Sequence, residues 1–173
     1  QKALGNFETA LTLYDGIIGR ASSDYIKAQA LYEAGLANQA QGQNAEAIER
    51  YRFAIENYPL SYYSYLSLVA LLDAGGTVNE LDRGLVDYFA GQYDVGIAAF
   101  DRYLASNPPE NDGTAYYYRA LSKSSLGQYE AALVYYNLFL SNFSAHPSWS
   151  DAWGERAFIE WAQLGDYTRG AQT

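Results

Sequence analysis

Ala30-Leu31-Tyr32-Glu33-Ala34-Gly35-Leu36 runs on to Gly42-Gln43-Asn44, then to Ala47-Ile48-Glu49-Arg50-Tyr51, and closes at Pro59. In the first run apolar or small residues recur at three and four, which is the spacing of a helix face. Gly42 then stands where a helix needs a left-handed C-terminal cap, a conformation that a residue without Cβ enters at little cost. Ala47 and Tyr51, four apart, start a second helical face beyond the turn. The unit is a helix, a Gly-containing turn and a helix. Gly35 and Ala47 let the two axes approach closely, and Tyr51, one turn on, is expected to fill the wedge toward the next pair.

The unit recurs along the chain. Gly5-Asn6-Phe7, Gly91-Gln92-Tyr93, Gly127-Gln128-Tyr129 and Gly165-Asp166-Tyr167 repeat the turn, and a small residue follows five positions after each Gly (Ala10, Ala47, Gly96, Ala132, Gly170). In the first four an aromatic comes four residues later: Tyr14, Tyr51, Phe100 and Tyr136. Successive turn glycines are 37, 49, 36 and 38 residues apart, so the second interval is too long by about one helix. The surplus is Ser61 to Ala74, which ends at Gly75-Gly76. Its Tyr62–Leu72 portion is apolar nearly all round and should be buried on more than one side.

Leu31, Ala34, Gly35, Gly42, Ala47, Tyr51, Ala54 and Pro59 resemble the tetratricopeptide repeat, whose period is about 34 residues. The resemblance implies an all-α chain, a right-handed α-solenoid of antiparallel helix pairs with one extra unpaired helix. Repeats are read at about 1–24, 28–61, 78–108, 113–144 and 150–173, with the extra helix at 61–74. Together they form a single domain over 1–173, truncated at both ends. The chain neither begins with Met nor contains one, and it reads as a segment of something longer.

Charge and composition narrow the partners. Hydrophobic residues make up 49% and charged residues 18%, with a mean hydropathy of −0.27 and no apolar run of about 18 residues, so a folded chain without membrane insertion is expected. Eleven Lys+Arg against 20 Asp+Glu give a net charge of −9, which repels polyanions and argues against nucleic acid. The absence of Cys leaves the compartment open.

Catalytic chemistry is thin. The one His, His146, precedes Pro147 in what reads as an exposed loop, and no Gly-rich loop followed by Lys-Ser/Thr exists to cradle phosphate. Asp151, Glu155 and Glu160 lie along one predicted helix near Trp149, Trp153 and Trp161, and could do glycosidic acid/base work. Read plainly, they are an acid favouring a helix N-terminus and solvated glutamates. No metal site and no cofactor are expected.

Resemblance to the repeat family places a groove on the first helix of each pair. Its stripe carries Tyr32, Leu36 and Gln39, then Leu81, Leu85 and Tyr88, then Tyr117, Leu121 and Ser124, then Glu155 and Gln163. Members that grip the C-terminal carboxylate of chaperones use Lys, Arg and Asn there, and these positions hold no basic residue. The binding candidates are therefore Tyr32, Gln39, Tyr88, Tyr117, Ser124, Glu155 and Gln163, suited to stacking and neutral hydrogen bonds with a peptide or a glycan.

Two further stretches, Tyr58-Pro59-Leu60-Ser61-Tyr62-Tyr63-Ser64-Tyr65-Leu66 and Arg83-Gly84-Leu85-Val86-Asp87-Tyr88-Phe89-Ala90-Gly91, resemble the helical region preceding the catalytic domain of bacterial soluble lytic transglycosylases. That family's chemistry needs Glu-Ser and a Gly-Leu-Met-Gln-type segment, and the chain holds neither. The resemblance implies a non-catalytic scaffold of a periplasmic or otherwise extracytoplasmic envelope protein, with a protein, a peptide or peptidoglycan glycan as partner. The alternative is a stand-alone adaptor binding a peptide in envelope assembly or the cytoplasm, and an enzyme using Asp151 and Glu155 ranks third.

Overall fold

The computed structural model describes residues 6–165. Among them are nine α-helices and no strand: α1 Phe7–Arg20, α2 Asp24–Ala40, α3 Asn44–Asn57, α4 Tyr62–Asp73, α5 Glu80–Phe89, α6 Tyr93–Ala105, α7 Thr114–Ser125, α8 Tyr129–Asn142 and α9 Trp149–Phe158, the last continued by a π-turn, Ile159–Gln163. The readings placed on Gly5, Asp166, Tyr167 and Gly170 lie outside the described residues. The chain divides into two compact units between Gly91 and Gln92, inside the repeat read at 78–108.

Helix ends follow the repeat glycines. Gly42 has φ +75 and Gly127 φ +71, and the residue after each donates its N–H back across the turn, Gln43 to the Asn38 carbonyl (3.0 Å) and Gln128 to that of Lys123 (2.9 Å). This satisfies carbonyls that a helix end leaves open. The same two glutamines add a side-chain tie to the same residues. Gln43 Oε1 accepts from Asn38 Nδ2 (2.7 Å) and Gln128 Oε1 from Lys123 Nζ (2.8 Å).

In the first unit α2 packs on α1 and α3, and α4 packs across both α2 and α3. The helix that the sequence reads as a surplus thus stands against the α2–α3 pair as the first helix of a next pair would, and α5 packs on α3 and α4 in turn. Ser64, Ser67, Leu68 and Leu71 face its core side, while Tyr62 (59% exposed), Val69 and Leu72 remain exposed, so α4 is covered less completely than its apolar sequence suggests. The core gathers Ala47, Tyr51, Ile55, Leu68, Leu71 and Val86. Tyr51 lies over Gly35 of its own pair and shares this core with Leu68 and Leu71 of α4. Tyr14 is only half-buried, because no described helix lies on the outer side of α1.

In the second unit α7 packs on α6 and α8, and α8 on α9, around Ala120, Ala132, Tyr136, Phe139, Ala152 and Ile159. The Arg119 guanidinium pairs with Asp101 of α6 and lies 3.8 Å from the Tyr135 ring centroid of α8, clamping three helices. His146 is not the exposed loop residue that its neighbours imply. Its Nδ1 accepts from Ser148 N–H (3.0 Å), which leaves Nε2 to donate to Thr114 Oγ1 (3.2 Å), and its ring meets that of Phe139 at 5.0 Å. It is a tie between the α8–α9 turn and the start of α7.

Candidate functional site

Tyr25, Gln29, Tyr32 and Leu36 are spaced four, three and four apart, so one face of α2 carries all of them away from the core side occupied by Ala28, Leu31, Ala34 and Gly35. Beside this face α4 presents Tyr63. The Tyr63 ring lies 5.2 Å from that of Tyr25, edge-on, and 5.9 Å from that of Tyr32, and Tyr32 in turn is 6.2 Å from Tyr51 beneath it. Tyr62 extends the cluster at 6.4 Å from Tyr63. These separations are those of favourable offset and edge-to-face pairs, which fix ring planes while leaving outer edges open. Tyr25 is 52% exposed.

Two of these phenols, Tyr51 and Tyr63, are held in the neutral form. Burial, followed by Tyr32 and the Glu33 carboxylate, pushes Tyr51 up to about 12, and its hydroxyl donates to Gln39 Oε1 at 2.9 Å. Desolvation, then Tyr25 and Glu33, raises Tyr63, with Gln29 acting in the opposite direction. The surface therefore offers neutral donors and ring edges, with one acidic group close by.

Of the sequence candidates, Tyr32 is half-buried within this cluster, and Gln39 is half-buried with its carbonyl oxygen taken by Tyr51. Tyr88 is half-buried on α5, its ring 5.1 Å from that of Phe89. In the second unit Tyr117 is only 8% exposed and stands in the core, 5.3 Å from the Phe139 ring. Ser124 is half-buried in the last turn of α7, Glu155 is half-buried on α9, and Gln163 is exposed at the end of the π-turn. The cluster thus keeps Tyr32 and adds Tyr25, Gln29 and Tyr63. The α2 residues were legible from their spacing, whereas Tyr63 depends on where α4 packs.

The three acidic residues differ in surroundings, and Glu160 lies beyond α9 in the π-turn. Asp151 is exposed in the first turn, while Glu160 is buried and accepts from Arg156 Nη2 at 3.3 Å. Among the described residues no three His, Cys, Asp or Glu side chains are grouped to hold a metal ion, and no helix is long and apolar enough to cross a membrane.

A family model described as tetratricopeptide repeat matches residues 1–62, 32–78 and 81–147. No curated protein and no solved structure matches the chain.

Proposed function

The chain belongs to the tetratricopeptide-repeat family, and from that premise we propose that it is a non-catalytic interaction scaffold whose first unit presents the α2–α4 tyrosine face to an extended peptide of a partner protein. The observation that carries this reading is the Tyr25–Tyr63–Tyr32 cluster, in which rings from two helices are held 5.2 and 5.9 Å apart while Tyr25 stays half open to solvent. Preset rings lose little rotamer freedom when a ligand covers them, so contact area converts more fully into affinity. Tyr32 is the anchor of the stripe; Gln39 and Tyr88 extend it in the first unit, and Ser124, Glu155 and Gln163, with Tyr117 buried beneath them, supply the stripe of the second.

A second ligand class is favoured by the same rings, since tyrosine faces and edges also stack on sugars. In that reading the parent is a bacterial cell-envelope protein such as a soluble lytic transglycosylase, supported by the Tyr58–Leu66 and Arg83–Gly91 stretches, and the partner is a peptidoglycan glycan strand.

The test is a titration of a capped peptide library and of peptidoglycan fragments against the wild-type chain, Tyr25→Ala and Tyr32→Ala. Truncating a central aromatic anchor should weaken the preferred ligand about tenfold or more. Affinity that ignores both tyrosines would refute the face, and turnover of the glycan by this chain, lost on Glu155→Gln, would replace the scaffold with an enzyme.

A further inference from the structure

Between α1 and α2 lies a cleft of about 450 Å³ lined by Tyr14 and Ile17 on one side and by Ile26, Gln29, Ala30 and Glu33 on the other. Ile17 and Ile26 are 40% and 45% exposed, so the walls are aliphatic and open. Glu33 is half-buried and makes no hydrogen bond or ion pair among the described residues. The basic residues of the two helices are engaged elsewhere. Arg20 donates to its own helix at the Gly16 carbonyl, and Lys27 pairs with Asp24 at 3.9 Å and stands over the Tyr58 ring. Arg50 of α3, the nearby cation reaching α1, is held by Asp15.

We propose that this cleft seats a cationic side chain, arginine or lysine, of the bound peptide, with Glu33 as its counterion. The proposal rests on the scaffold reading and names the chemistry of the ligand. A half-buried carboxylate beside aliphatic walls matches one kind of side chain: a methylene stem packs on Ile17, Ile26 and Ala30 while the charged end reaches the acid. An apolar side chain in the same place would strip water from Glu33 without replacing it, and an acidic one would be repelled. Burial is the main cause that raises Tyr51 and Tyr63, and the nearby Glu33 carboxylate adds to it in both. Gln29 lines the cleft and also adjoins Tyr63, so the cleft and the tyrosine face are continuous. A peptide lying along Tyr25 and Tyr32 can turn one basic side chain into it.

The experiment is calorimetric titration of the full chain with capped nonapeptides in a neutral degenerate background. The central residue is arginine or its uncharged isostere citrulline, and the proteins are wild type, Glu33→Gln and Tyr32→Ala. Arginine peptides should bind wild type about tenfold more tightly than citrulline peptides, the scale of one charge-assisted contact. That advantage should shrink at high salt and disappear in Glu33→Gln, whose melting temperature should not fall. Equal affinities for the two peptides in wild type, or an arginine advantage that survives Glu33→Gln, would overturn the cation seat. Neutral peptides that bind through Tyr32 with no arginine preference would overturn it while leaving the scaffold reading intact, and the absence of any peptide binding would remove both.

Discussion

A Cβ built on Gly35 would lie 2.3 Å from Cε1 of Tyr51, so the tyrosine ring fills the space that any other residue at 35 would need. Both belong to the α2–α3 pair, and Tyr51 is fully buried. Gly35→Ala should therefore destabilise the first unit. Overpacking costs about 1–3 kcal/mol, and the better helix propensity of alanine returns only about 0.5–1 kcal/mol of it. Gly19→Ala in α1 meets nothing within 4 Å and should stabilise by that same propensity gain. Urea melts of the two variants should move in opposite directions, and a shift of the same sign in both would show that the close approach at Gly35 is not real.

Tyr51 also sets an alkaline limit. Its phenol rises from 10.0 in an exposed chain to about 12 in the folded one. The neutral form is the one that the fold favours, so the contribution is fully present below pH 10 and is lost as pH climbs toward 12. Two units correspond to about 2–3 kcal/mol at most. Tyr51→Phe should lose about 1 kcal/mol at neutral pH with the Gln39 hydrogen bond and should show a shallower fall in stability between pH 10 and 12. An unchanged alkaline slope would place the titrating group elsewhere.

The helices and their turns are legible in the sequence because each is punctuated locally: Gly42 and Gly127 take a left-handed conformation, and the following glutamine closes the turn. The place of α4 is not, because its apolar residues surround the helix and give no direction. Only packing on α2 and α3 turns Tyr63 toward Tyr25 and Tyr32. The role of His146 is equally hidden, since its partner Thr114 is 32 residues away. Tyr117 carries the stripe spacing of a surface position, yet Phe139 and His146 from the next elements stand against its ring. Periodicity assigns a face to each helix, and long-range neighbours decide how much of that face stays open.

Ala47 and Glu49 test the assignment of the α3 face. Ala47 is fully buried between paired helices, whereas Glu49 is exposed and paired along its own helix with Arg52. Ala47→Leu should cost about 1–3 kcal/mol by overpacking. Glu49→Leu should change stability by no more than about 0.5 kcal/mol. Comparable losses from the two in thermal melts would mean that the face is misassigned.

The clamp in the second unit separates two electrostatic effects at one side chain. The Arg119 side chain is 16% exposed with its guanidinium carbon 3.8 Å from the Tyr135 ring centroid, while its ionic partner Asp101 is 44% exposed. Desolvation strengthens the ring contact, and water and salt weaken the pairing with an open carboxylate. A double-mutant cycle of Arg119→Lys and Tyr135→Leu should therefore show a coupling of about 1 kcal/mol, because lysine keeps the charge but loses the flat guanidinium that covers the ring. Asp101→Asn should cost less than about 1 kcal/mol, and its effect should fade as ionic strength rises. If the cost of Arg119→Lys instead matched that of Asp101→Asn and faded with it, the clamp would be an ordinary surface ion pair and the ring contact would contribute nothing to holding α7 against α8.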